Sequence, residues 1–227
     1  MRTHRKTHIA GYTANPAVYL KAVNERRDPI CGSRIFGEPY LPEGFSYPLG
    51  SDGEPLMFLG QLNFTELPHL DGFPDKGVLQ FYISSRKAAY GANLDNLTDQ
   101  GYFRVAYHAD TALRHSGKLH RVLGYSEIPV TGIYVADPLR PDADVEAVFD
   151  GPRLMAHHVG GQPYLIQLDP RRIDQRYTGH SVLLLQICSD AKNRIQWFDG
   201  GTLTFYIRPE DLTRLDFSNV IFNVDSH

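Results

Sequence analysis

Cysteine and tryptophan are scarce, with two and one respectively in 227 residues. Two thiols, Cys31 and Cys188, build no disulfide framework, and neither stands in a CxxC pair. No apolar run approaches the roughly 18 residues that a membrane-spanning helix needs. Arg2, Arg5 and Lys6 are followed by no apolar stretch, so no secretory leader is expected. The glycosylation sequons at Asn63 and Asn96 are therefore read as chance matches, and the expected location is the cytoplasm. An excess of one charge is missing too: 23 basic side chains face 26 acidic ones, a net charge of −3. Dedicated nucleic-acid binders carry a strong basic excess. The short clusters Arg26 with Arg27 and Arg171 with Arg172 read as solvated surface, so neither nucleic acid nor membrane is an expected partner.

The usual signatures of chemistry are also absent. There is no G-x-S-x-G, no phosphate-binding loop and no GxGxxG. Asp225, Ser226 and His227 are triad residue types, but chain neighbours cannot converge as a triad must. Cys31 or Cys188 could pair with one of ten histidines, yet a lone cysteine is first read as a small buried hydrophobe. His157 and His158 are adjacent, so on a strand they point to opposite faces and only one could serve a metal, with Asp169, Asp190 or Asp199. No zinc-site spacing accompanies them. No cofactor and no metal are expected.

Strand and turn formers are abundant: 13 Tyr, 12 Phe, 20 Gly and 15 Pro. The stretch Gly77-Val78-Leu79-Gln80-Phe81-Tyr82-Ile83 returns 124 residues later as Gly201-Thr202-Leu203-Thr204-Phe205-Tyr206-Ile207, with five of seven positions identical. Its period-two alternation predicts a half-buried strand. Gly37-Glu38-Pro39-Tyr40-Leu41 returns at the same offset as Gly161 to Leu165, and Phe58 to Leu62 returns as Leu183 to Ile187 at an offset of 125. Three blocks in one order predict a tandem duplication with a binding cleft between its halves.

The expected fold is therefore mainly β (α+β): an internal duplication of a β-rich unit with a few short helices. Residues 1–30 are an arm and a helix, the helix running from about Pro16 to Arg26 behind the Asn15-Pro16 start signal. Residues 31–227 form one domain of two repeats, about 31–135 and 147–227, joined by an acidic linker at 136–146. Further strands are expected near 56–62, 102–108, within 119–135 and near 220–224, with a helical turn at Pro209 to Leu212.

Five residues stand out as candidate ligand contacts. Gln61 and Gln186 occupy the same place in each copy, and a buried amide needs partners at both ends. Asp190, Trp197 and Asp199 gather around a turn built on Lys192 and Asn193. Backbone-bonded amides and turn-capping acids are the competing reading for the glutamines and acids. No catalytic residue is assigned, and a non-enzymatic chain is expected.

From about Ile35 to Asp225 the chain resembles the YwqG-like proteins, a bacterial family of uncharacterised function. The resemblance rests on Phe36-Gly37-Glu38-Pro39-Tyr40-Leu41-Pro42, Pro55 to Phe64, Gly77 to Ile83, Tyr90-Gly91, His158 to Pro163, Leu184-Leu185-Gln186-Ile187, Ser189-Asp190, and Asp211-Leu212 with Asp216-Phe217-Ser218. Two positions depart from it: the family often has an acid where this chain has Cys188, and a glycine where it has Phe198. The resemblance implies a duplicated, mostly β fold and no known catalytic residues. Its members often look like neighbours of toxin genes, which implies an immunity role or a partner-binding role toward a toxin domain. The alternative is a ligand-binding protein or enzyme with its site in the cleft between repeats.

Overall fold

The computed structural model describes residues 15–25, 27–116, 125–137 and 155–226. In chain order the strands are β1 (Ala17–Ala22), β2 (Arg34–Ile35), β3 (Met57–Asn63), β4 (Val78–Ile83), β5 (Phe103–His108), β6 (Ile128–Val135), β7 (His158–Gly160), β8 (Val182–Cys188), β9 (Thr202–Ile207) and β10 (Ile221–Asp225). Two short α-helices, α1 (Pro170–Ile173) and α2 (Pro209–Thr213), each begin with proline at the first helical position, where its missing N–H costs nothing. The fold is mainly β, as expected.

All ten strands belong to one antiparallel, nearly closed sheet of order β10-β9-β8-β7-β1-β6-β2-β3-β4-β5. The order reads alike from both ends when each strand is exchanged for the one five places later in the chain. The register repeats too. In the β3–β4 hairpin the pairing slips between Phe58 and Gly60, and in the β8–β9 hairpin between Leu183 and Leu185. Each slip is a β-bulge, at Leu59 and at Leu184, which adds curvature at the same place in each hairpin.

That curvature brings the ends of the sheet together. Phe81 of β4 and Phe205 of β9, the same position of the repeated stretch, meet with ring centroids 4.9 Å apart in the core. Phe222 of β10 stacks on Phe205 at 4.6 Å and meets Phe103 of β5 at 5.2 Å. Two hydrogen bonds tie the ends: Phe222 N–H to the Leu97 carbonyl at 3.0 Å, and the Gln100 side-chain amide to the Phe217 carbonyl at 2.7 Å. These bonds give each edge strand a partner in the segments beside it.

Two expectations are corrected. The helix expected from about Pro16 to Arg26 is not formed: Ala17–Ala22 is the central strand β1, paired with β6 on one side and β7 on the other. Four consecutive residues, Ala17 to Leu20, are buried, which suits a strand covered on both faces and not an amphipathic helix. An eleven-residue helix would have been marginal without a packed face, so tertiary pairing prevails over the Asn-Pro signal. Nor are β4 and β9 half-buried. Every residue in both is buried, because the loop at residues 28–47 and the loop carrying α1 cover the outer face. The N-terminal arm, at residues 1–14, and the acidic linker from residue 138 onward lie outside the described residues.

Candidate functional site

The two glutamines are built into the backbone of the fold. Gln61 Oε1 accepts from Tyr40 N–H at 2.9 Å and from the Gln80 amide at 3.1 Å. Its Nε2 donates to the Ile30 and Gly32 carbonyls at 3.2 and 3.1 Å. Gln186 does the same in its own surroundings: Oε1 accepts from Tyr164 N–H at 2.7 Å, and Nε2 donates to the Ala156 carbonyl at 3.1 Å. Each amide thus fastens a different loop to its hairpin.

Beside each glutamine lies a cationic or cation-forming side chain: Arg34, which the sequence did not bring forward, and His158, which it brought forward only as a possible metal ligand. Arg34 of β2 is buried, and its guanidinium donates to the carbonyls of Ile30, Gly32 and Glu38, with Glu127 Oε2 3.8 Å away. His158 of β7 contacts the carbonyls of Ala156 at 2.9 Å and Gln162 at 3.1 Å. Burial pushes the His158 pKa down while these two carbonyls oppose that shift. The only sequence signal for Arg34 is a lone basic residue in a two-residue strand segment, which is weak.

The β8–β9 connection holds the other three candidates. Asp190 Oδ1 accepts from the Lys192 N–H at 2.9 Å, and Oδ2 from the Asn193 side-chain amide at 2.5 Å. His157 Nε2, 3.5 Å from Asp190 Oδ2, and these turn donors hold the carboxyl well below the usual carboxylate range. His157 Nδ1 faces the backbone N–H of Cys188 at 3.2 Å, so this histidine meets the main chain of Cys188 and not its thiol. Burial pushes both thiols, Cys31 and Cys188, up to about 11, which leaves neither as a thiolate near neutral pH. Among the described residues no group of three or more His, Cys, Asp or Glu side chains is placed to hold a metal ion. Asp199 is exposed.

Trp197 is fully buried, and its indole N–H has no hydrogen-bond partner among the described residues. Around it gather Tyr90 at 5.1 Å, Phe36 at 6.1 Å and Tyr125 at 6.3 Å between ring centroids. Phe198 lies against Tyr90 at 5.0 Å and is 50% exposed. Three of the six non-glycine residues with positive φ among the described residues belong to this cluster, Phe36 (56°), Tyr90 (51°) and Phe198 (43°), and a fourth, Ala89 (48°), directly precedes Tyr90. Left-handed backbone is costly for a side chain with a Cβ, and it collects at functional surfaces. The structure therefore brings Asp190, Trp197 and Asp199 into one connection beside an aromatic patch, while Gln61 and Gln186 stand in separate backbone clusters.

Residues 33–226 match a family described as a domain of unknown function (DUF1963). The chain belongs to the DUF1963 family. No curated protein matches it. The DUF1963 match covers β2 to β10 and begins after β1, although β1 occupies a central place in the sheet. The aromatic patch, both glutamines and the β8–β9 connection fall inside it, while the Ile30 and Gly32 carbonyls that Gln61 meets lie just before it.

Proposed function

We propose that this DUF1963 protein is a YwqG-like, cytoplasmic, non-enzymatic protein-binding module whose partner is a toxin domain. The observation that carries the reading is Phe198, a half-exposed aromatic ring held on left-handed backbone at the tip of a patch with Tyr90 and Tyr125. Exposed aromatic anchors on a rigid, buried base are the side chains that dominate protein interfaces. Trp197 supplies that base. The inert thiols leave nucleophilic catalysis by cysteine without support.

The test is capture of a partner by tagged protein from the cells that encode it, in parallel with Phe198→Gly and with Leu168→Ser as a control at another exposed apolar residue. The reading expects one stoichiometric partner that is lost with Phe198→Gly and kept with Leu168→Ser, and whose toxicity on expression the wild-type protein relieves. Capture indifferent to Phe198→Gly, or a partner that is harmless when expressed, would overturn it.

We further propose that the fold is a duplication whose two units exchange their first strands. The units are β1 to β5 and β6 to β10, and the sheet order places β1 beside β7 and β6 beside β2. Corresponding bonds support this: Leu20 N–H to the His157 carbonyl matches Val130 N–H to the Ser33 carbonyl. Two of the three carbonyls that Arg34 meets, those of Gly32 and Glu38, also correspond at an offset of 124 to the two that His158 meets, those of Ala156 and Gln162. The exchange makes each unit dependent on the other for a complete sheet.

A further inference from the structure

Residues 64–75 of the connection between β3 and β4 fold across β1, β6 and β7 and form with them an open-mouthed cavity of about 220 Å³. Val18 of β1 and Val159 of β7 line it on one side, and Phe64, Leu70 and Phe73 on the other. Two glycines seat the cover closely. A Cβ at Gly132 would come within 2.6 Å of Pro68, and one at Gly160 within 2.5 Å of Leu70. Glu66 adds a latch by accepting the Ser33 N–H at 2.9 Å. The cover is thus fixed against the sheet.

Chemistry at the mouth differs from that of the walls. His69 and Asp75 bring polar groups to the lining, and His69 Nδ1 lies 2.8 Å from Asp75 Oδ1. His69 Nε2 lies 3.5 Å from Asp71 Oδ1. An ammonium group placed at this mouth would meet the carboxylates of Asp75 and Asp71, while its apolar body filled the cavity. An apolar cavity of about 150 Å³ is enough for benzene. This one takes a ring with a short chain.

We propose that the cavity binds a small primary amine carrying an aromatic ring or short aliphatic chain, with the ammonium at His69, Asp71 and Asp75. The reading is independent of the aromatic patch around Phe198. A ligand of about nine non-hydrogen atoms binds with a dissociation constant of roughly 0.1–1 mM by ordinary ligand efficiencies.

The experiment is titration calorimetry of the full chain with phenethylamine, and with the matched alcohol (2-phenylethanol) and carboxylate (3-phenylpropionate), each at millimolar concentration. The variants are Asp75→Asn at the exposed mouth and Thr65→Trp, which fills the cavity from an exposed wall position. The expected order is amine tightest, alcohol weaker by about tenfold, the loss of one charge-assisted hydrogen bond, and carboxylate unbound. Asp75→Asn should weaken the amine by about tenfold and leave the alcohol unchanged. Thr65→Trp should abolish both. No binding of the amine, equal binding of all three probes, or binding that survives Thr65→Trp in a folded variant would overturn the assignment.

Discussion

Replacing Gln61 with leucine keeps the volume of the side chain and removes four hydrogen bonds, and the structure says which groups suffer. The Ile30 and Gly32 carbonyls keep the Arg34 guanidinium at 2.6 and 3.0 Å, and the Gln80 amide keeps the Tyr40 carbonyl at 2.7 Å. Tyr40 N–H loses its acceptor in a fully buried place. One orphaned buried donor costs about 1–3 kcal/mol, and the lesser losses add to it, so the expected cost is about 2–4 kcal/mol. Gln186→Leu orphans Tyr164 N–H in the same way, but Tyr164 is only partly buried and water can reach it. Its expected cost is about 1–2 kcal/mol. Urea denaturation followed by fluorescence measures both, with the midpoint shifting at constant slope. A Gln61→Leu protein as stable as wild type, or a Gln186→Leu protein less stable than Gln61→Leu, would refute the assignment of these amides as loop fasteners.

Four further outcomes are expected. Phe81→Ala or Phe205→Ala should each cost about 3–5 kcal/mol, because both rings are fully buried and face each other; an unchanged denaturation midpoint in either would contradict the core described above. Phe198→Gly should be more stable than Phe198→Ala by about 0.5–1 kcal/mol, since glycine relieves left-handed backbone at some entropic cost, and the reverse order in thermal melts would show that position 198 is unstrained. Neither thiol should react with a disulfide reagent at pH 8 until the protein unfolds, when both should, as counted by absorbance; a fast native phase would contradict the burial of Cys31 and Cys188. Burial lowers His108 to about 4, so between the unfolded value near 6.5 and pH 4 the unfolded chain takes up a proton that the folded one refuses. Stability should therefore fall as pH drops through that window, and His108→Gln should make the fall shallower; an unchanged slope would exclude His108 as a contributor.

The strands near 57–63, 78–83, 103–108, 182–188, 202–207 and 221–225 were legible because alternation and apolar runs between turn residues are local properties of the chain. So was the helical turn after Arg208, marked by proline at its first position. At the candidate site the chain signalled that Gln61 and Gln186 are equivalent, and that Asp190 belongs to a turn. It did not signal that Arg34 and His158 stand beside them, since no local pattern separates a buried cation bonded to carbonyls from a surface one.

Pairing was illegible for a different reason. Tyr19 of β1 faces Ile133 and His158, residues more than one hundred positions away, and a short apolar segment with a helix-start signal carries no mark of such neighbours. The burial of both faces of β4 and β9 likewise depends on loops that arrive from elsewhere in the chain. Period-two alternation selects strand conformation and decides which side chains share a face. Whether that face meets water, a loop or another strand is settled by the burial that the assembled sheet can offer, a free energy summed over contacts far apart in sequence.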